Sequence, residues 1–173
     1  MTEKQEKILL AALTLFANDG YASTSTSKVA KEAGVSEGLI FRHFGNKEGL
    51  LEAIKQMGYE ASQQVWAPVL DLDDPKELLR SVLELPLQAT EEDHVFWRLI
   101  YALKWQTKVY DHAATATIRA ALESAFAKLG YGDPKAETEL LMMLLDGLVI
   151  AIVLRKPDNL AAAIAAAKKK YEL

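Results

Sequence analysis

Apolar residues recur at three- and four-residue intervals through most of this 173-residue chain. That period gathers side chains on one face of an α-helix. Ile8, Leu9, Ala12, Leu13 and Phe16 form the first such stripe, which predicts a helix over 3–18 closed by Gly20 as a left-handed cap. Two short helices follow at 26–33 and 37–44, each behind a hydroxyl residue, Ser25 and Ser36, able to accept from first-turn amides. Only a tight turn at Gly34 and Val35 parts them. A fourth helix starts at Lys47 behind the cap Asn46, and Pro68 with the acidic turn Asp71-Leu72-Asp73-Asp74-Pro75 is expected to stop it near Trp66. Further helices are expected at 76–90 with a kink at Pro86, and at 92–109, 112–129, 135–155 and 159–171. About nine helices in all make the class all-α.

Composition narrows this picture. Half the residues are apolar and a quarter are charged, as in globular proteins, and the length suffices for a small head plus a core-bearing body. The caps and the Lys47 start divide the chain into a head over 1–46 and a helical body over 47–173. There are no cysteines, which excludes disulfides, thiolate metal sites and cysteine nucleophiles and fits a reducing, cytoplasmic compartment. Met1 runs straight into the charged stretch Thr2 to Lys7, so no secretory leader is expected. The longest apolar run, Leu140 to Leu154, is interrupted by Asp146 and too short to span a bilayer, so no membrane partner is expected.

The net charge of −4 speaks against a generally basic surface, but its distribution is uneven. Residues 1–55 carry seven Lys/Arg against seven Asp/Glu, whereas Thr26 to Lys47 hold four basic residues (Lys28, Lys31, Arg42, Lys47) against two acidic ones (Glu32, Glu37). Any contact with a polyanion is therefore local.

That local stretch, TSKVAKEAGVSEGLIFRHFG, carries the chemistry. Two helices crossing steeply through a tight turn need a small residue where they touch, a residue tolerant of positive φ, and apolar residues facing a supporting helix. Ala30, Gly34 and Ile40 suit those roles, with Val29, Ala33 and Val35 filling the interface. The second helix then offers Glu37, Gly38, Leu39, Phe41, Arg42 and His43 on its other surfaces, and Gly38 permits close approach to a major groove. The hydroxyls of Thr24, Thr26 and Ser27, the two helix N-termini and Lys47 are groups that hold phosphate oxygens. A helical hairpin with a glycine turn and no ligand is the plainer alternative.

Residues Lys4 to Ile54 resemble the DNA-binding head of the TetR (tetracycline repressor) family. The resemblance is carried by Phe16-Ala17-Asn18-Asp19-Gly20-Tyr21, Ser25-Thr26, Val29 through Ser36, Gly38-Leu39-Ile40-Phe41-Arg42-His43-Phe44 and Asn46-Lys47-Glu48-Gly49-Leu50. It implies a three-helix head with a helix-turn-helix, followed by a helical ligand-binding and dimerisation domain. It further implies that Thr26, Ser27, Glu37, Gly38, Leu39, Phe41, Arg42, His43 and Lys47 face operator DNA, with Lys47 and the helix N-termini on phosphates and Arg42 and His43 near the groove. Many family members have tyrosine where this chain has Phe41, so a phenolic bond to phosphate is missing here. Glu37 is awkward near phosphates; it either accepts from a cytosine amino group or points away.

A solitary head makes few phosphate contacts, so a symmetric dimer is expected to double them. Leu140 through Leu145, Leu148, Val149, Ile150, Ile152, Val153 and Leu154 make a helix apolar nearly all round, and Gly147 would admit another helix. The resemblance implies a homodimer through the last two helices; a helix central to its own body is the alternative. Trp97, Tyr101 and Trp105 are spaced by four and share a face with which Phe96, Trp66 and Met143 could line an apolar pocket. Plain core is the other account of that stripe. The resemblance implies a small, largely apolar effector whose binding releases the operator.

Enzymatic constellations are missing from the sequence. No glycine-rich phosphate loop precedes a Lys-Ser or Lys-Thr pair, and the turn beginning at Asp71 has Lys76 and Val82 where a calcium loop needs Gly and Glu. His43, His94 and His112 are scattered, so no catalytic residue, metal or cofactor is expected. The expected function is a palindromic-operator repressor, against the alternative of a ligand-binding or scaffold dimer that no longer reads DNA.

Overall fold

A computed structural model describes the backbone of residues 1–107 and 112–173 and the side chains of residues 1–102 and 115–173. The described residues form α1 (Glu3–Asp19), α2 (Thr26–Ala33), α3 (Glu37–Phe44), α4 (Lys47–Leu70), α5 (Pro75–Glu84), α6 (Glu91–Thr107), α7 (His112–Lys128), α8 (Pro134–Arg155) and α9 (Leu160–Lys170). A 3-10 turn, Leu85–Gln88, lies between α5 and α6, and no strand occurs among the described residues.

Most helix limits follow their caps. At α1, the Thr2 hydroxyl accepts from the Gln5 amide at 3.3 Å while the Gln5 side-chain oxygen accepts from the Thr2 amide at 2.8 Å. Gly20 has the expected positive φ of 88°, but its ψ of 144° is extended, so it leaves the helix without a left-handed helical turn. Pro68 does not end α4 at Trp66: the helix continues to Leu70. A proline there removes the bond to the Gln64 carbonyl and crowds it, which costs least where the residue is solvent-exposed, as Gln64 is. The restart is set by Asp74, whose carboxylate accepts from the Lys76 and Glu77 amides at 2.7 and 3.1 Å, with Pro75 at the first helical position. Pro86 does not kink a long helix; α5 stops at Glu84 and the chain tightens into the 3-10 turn.

Two compact units result. The first comprises Met1–Ser62 together with α6, so it reaches past residue 46, where the sequence suggests the head ends. The α1 stripe of Ile8, Leu9, Ala12, Leu13 and Phe16 is buried with Val29 and Ala30 of α2, Ile40 of α3, Leu50 and Ile54 of α4, and Leu99 of α6. Each fully buried Ile, Leu or Phe contributes about 1.5–3 kcal/mol of transfer free energy. Glycine matters at two contacts in this unit. A Cβ on Gly58 would fall 1.9 Å from the Phe96 ring, and one on Gly49 would fall 1.8 Å from the Phe44 carbonyl oxygen.

The second unit runs Gln63–Thr90 and includes α7, α8 and α9. Its core joins Leu78, Leu79, Val82 and Leu83 of α5 to Leu122 and Phe126 of α7, Leu141 and Leu148 of α8, and Ile164 of α9. Phe126 packs against Tyr131 and Tyr171 with ring centroids 5.1 and 5.7 Å apart. Lys168 pairs with Glu84 at 2.5 Å and Lys76 donates to the Glu172 carbonyl at 2.9 Å, which ties the C-terminal segment to α5.

The α3–α4 corner gives a direct test. A methyl at Gly49 meets backbone oxygen, which cannot swing aside as a side chain can, so Gly49→Ala is expected to destabilise the protein by about 1–3 kcal/mol. Thermal denaturation followed by circular dichroism measures this; an unchanged midpoint would show that the corner relaxes without cost.

Candidate nucleic-acid interface

The segment singled out by sequence folds as two eight-residue helices around a left-handed residue. Gly34 has φ 67° and ψ 34°, and its N–H points at the Ala30 and Lys31 carbonyls. The Val35 amide also reaches the Ala30 carbonyl, at 2.9 Å. Together these satisfy the last carbonyls of α2 and fix the exit direction of the chain. A Cβ at Gly34 would meet nothing, so the requirement there is conformation rather than space.

Ile40 is fully buried and anchors α3, with Leu39 and Phe44 packed partly against the same core. Gly38, Phe41 and Arg42 therefore share the outer face, spaced by three and four residues. Phe41 is 48% exposed, unusually open for a large aromatic. A Cβ on Gly38 would meet no atom within 4 Å, so the absent side chain leaves a bare patch of helix surface. Among the residues expected to face DNA, Ser27 also lies exposed, while Thr26, Glu37, Leu39, His43 and Lys47 are half-buried.

The polar groups are more committed than the sequence suggests. Ser25 caps α2 by accepting from the Lys28 amide at 3.1 Å, whereas Ser36 makes no side-chain cap bond to α3. Instead the Leu39 amide turns to the Ser36 carbonyl at 3.0 Å, leaving the hydroxyl outside. Thr24, expected among the phosphate-holding hydroxyls, is buried and donates to the Gly20 carbonyl at 2.9 Å. Thr26 donates to the Glu37 carboxylate at 2.6 Å, joining the first residues of α2 and α3. Lys28 pairs with Asp19 at 2.8 Å.

Lys47 departs furthest from expectation. Its ammonium donates to the Tyr21 and Ala22 carbonyls at 3.0 and 3.3 Å and lies 4.5 Å from the Tyr21 ring centroid. A cation at a helix N-terminus is disfavoured by the macrodipole, and two carbonyls and an aromatic face offset this. Two of its three protons are thereby used inside the protein. Burial, followed by the Glu48 and Glu52 carboxylates, pushes the Tyr21 phenol above its usual pKa and keeps the platform neutral.

Sequence reasoning missed Gln5. Its side-chain amide approaches His43 Nδ1 at 3.4 Å, across 38 positions of chain. The pattern Thr2-x-x-Gln5 signals a capping box, but nothing local shows that the same amide faces α3.

The proposed pocket residues divide between the two units. Phe96 covers Gly58 and Trp97 packs against His94 at 5.6 Å between centroids, both within the first unit, where the half-buried Tyr101 also belongs. Trp66 packs partly against the second unit's core, while Met143 is 66% exposed beside Gly147 in a groove between α8 and α9 whose lining does not include Trp66. The Trp105 side chain lies outside the described residues. No cluster of three or more His, Asp or Glu residues positioned to hold a metal occurs among the described residues, and none of their helices is long and apolar enough to cross a membrane.

The family model described as bacterial regulatory proteins, tetR family, matches residues 8–54, the stretch from mid-α1 to Ile54 that carries this geometry. Over these residues the chain is similar to the tetR family. A tetR-type head is also what relates it to the uncharacterized HTH-type transcriptional regulator YvkB of Bacillus subtilis (strain 168), 46% identical over 54 residues, or 31% of this chain and 29% of YvkB. The chain spans less than a third of the length of the first curated relatives it matches. Solved structures share the fold along almost the whole chain. The fatty acid degradation regulator FadR from Bacillus halodurans superposes with TM-score 0.77 at 21% identity, covering 98% of this chain and 94% of that one. AibR in complex with isovaleryl coenzyme A and operator DNA gives 0.73 at 22% identity, covering 97% of each.

The Lys47 latch is testable without DNA. Lys47→Met removes two charge-assisted bonds and leaves two carbonyls short of a donor, so it is expected to cost about 1 kcal/mol after allowance for partial exposure. Urea denaturation of the protein alone measures this; unaltered stability would leave Lys47 with only a ligand-facing role.

Proposed function

We propose that the protein is a sequence-specific DNA-binding transcriptional regulator, a dimeric repressor that leaves a palindromic operator when a small effector binds. The observation that carries this is the outer face of α3, with bare Gly38 beside exposed Phe41 and Arg42 on a helix anchored from behind by Ile40. A short helix with backbone exposed near its start enters a major groove, and its N-terminal residues meet base edges. Ser27, the Ser36 hydroxyl and the third Lys47 proton supply phosphate contacts, while Phe41 offers apolar contact to sugar or a thymine methyl. Lys31 and Arg42 are the exposed cations of this stretch that form no ion pair among the described residues.

Dimerisation is assigned to α8 and α9. Leu140, Met143 and Leu154, exposed by 55, 66 and 74%, share the α8 surface with Gly147, and the α8–α9 groove of about 430 Å³ is lined by Leu144, Leu148, Ala151 and Leu160. Large apolar side chains this open, in a contiguous stripe, call for a covering surface. Met143 belongs to this face rather than to an effector pocket. The effector is proposed to be small and largely apolar, contacting the α6 aromatics Trp97 and Tyr101. The isovaleryl coenzyme A complex of the structural neighbour AibR supports an acyl-bearing molecule. We propose a cytoplasmic location and no catalytic activity for it. Glu37 and the net charge of −4 favour the alternative of a dimer that has ceased to read DNA.

Selection of bound duplexes from a random pool by the purified protein decides between these readings. An enriched inverted repeat is expected; a pool without enrichment would eliminate the regulator. Gly38→Ala should separate folding from function. It replaces an exposed helical glycine and is expected to raise stability by about 0.5–1 kcal/mol. On the selected duplex it should lower affinity by about tenfold, the equivalent of roughly 1.4 kcal/mol; unchanged affinity would place the DNA elsewhere. Met143→Asp puts a charge on the proposed dimer face at little cost to the monomer fold. Analytical ultracentrifugation is expected to give a folded monomer, and a persistent dimer would move the interface off this part of α8.

A further inference from the structure

The bond between Thr26 and Glu37 bears on which bases the head selects. The Thr26 hydroxyl has a single proton, and at 2.6 Å from the Glu37 carboxylate that proton is committed. What Thr26 turns to any other group is lone pairs, which a phosphate oxygen does not accept. The carboxylate is at the same time fixed at the first residue of α3, half-buried, with no ion pair to a cation among the described residues. Its neighbour Gly38 presents no side chain on the open side of the helix.

A carboxylate held at the leading end of a groove-entering helix repels phosphates, and it is compensated only by a donor on the DNA. The major groove offers exocyclic amino groups, and an acceptor-only carboxylate suits the N4 amino group of cytosine, which stands there without an adjacent acceptor of its own base. Adenine presents its amino group beside the N7 acceptor, which would face the second carboxylate oxygen unfavourably.

We propose that Glu37 is a specificity-determining residue that accepts from a cytosine N4 amino group in each half-site, and that Thr26 is its positioning residue rather than a phosphate donor. This rests on the DNA-reading function proposed above. Thr26 holds one carboxylate oxygen, which leaves the other to accept from the base, and the Thr26 bond restrains Glu37 from turning back toward the backbone.

The experiment compares duplexes selected from a random pool by the wild type, Glu37→Gln, Thr26→Val and Thr26→Ser, with affinity measured for each. The wild type is expected to enrich cytosine at one position per half-site. Glu37→Gln should move that position toward adenine, since an amide pairs with N6 and N7 together. Thr26→Val should reduce discrimination at that position by about tenfold, within the 1–3 kcal/mol worth of a good base contact, while affinity for duplexes lacking that base stays unchanged. Thr26→Ser, which restores the hydroxyl, should restore the preference. A Thr26→Val protein with intact base preference and affinity lowered alike on every duplex would make Thr26 a phosphate donor and overturn the assignment. An unchanged preference in Glu37→Gln would overturn it as well. Absence of any enriched sequence with the wild type would remove the regulator function and this assignment together.

Discussion

An eight-residue helix does not hold its shape in water, because nucleating it costs more than two turns of backbone bonding return. The geometry of α3 is therefore supplied from outside. Ile40, its one fully buried residue, ties it to α1, α2 and α4 through a shared core. Its entry is fixed by the left-handed Gly34, and its exit by the corner where Asn46 caps α4 at 2.7 Å from the Gly49 amide and Gly49 lies against the Phe44 carbonyl. Whatever the outer face contacts, it does so with a pattern of side chains that these three constraints hold in register.

The head also divides its charge in a way that net counting conceals. Of four basic residues between Thr26 and Lys47, Lys28 is engaged by Asp19 and Lys47 by two carbonyls. The cations near α3 thus do two jobs: some hold the scaffold, and Lys31 and Arg42 remain for an external anion. Few free cations mean a shallow salt dependence for one head, and this in turn raises the importance of a second head. In the proposed function, dimerisation is part of the affinity as well as of the symmetry.

The fold was legible in the sequence wherever an element carried its own boundary. Both α2 and α3 are bracketed by residues whose conformations are intrinsic, Ser25 and Gly34, Ser36 and Gly45, and their limits follow. Pro68 shows where local reasoning fails: whether a proline ends a helix depends on whether the carbonyl it orphans reaches water, which is a matter of burial. At the candidate site the outer face of α3 could be read from helical spacing alone. The partners of its polar residues could not, since Glu37 is met by a hydroxyl 11 positions away and Lys47 by carbonyls 25 and 26 positions away. The make-up of the first compact unit is a similar case, because α6 joins it through contacts that cross a long stretch of sequence.

In α8 the hydrophobic pattern is ambiguous for a physical reason. A helix apolar on every side has no moment from which to infer a buried face, and two different surfaces can produce it: its own body and a mate. In the structure Leu141, Met142, Leu148 and Ile152 are buried, while Leu140, Met143 and Leu154 stand open on the same helix. The first group accounts for the fold of the second unit and the second group is left without a use inside it. In the proposed dimer one sequence stretch meets two packing requirements, and the residue that distinguishes them is Gly147, where an added Cβ would touch nothing within 4 Å. A glycine in mid-helix costs about 1 kcal/mol relative to alanine. With open space on the chain's own side, no internal contact requires that cost, and close approach of a second helix provides a physical reason for it.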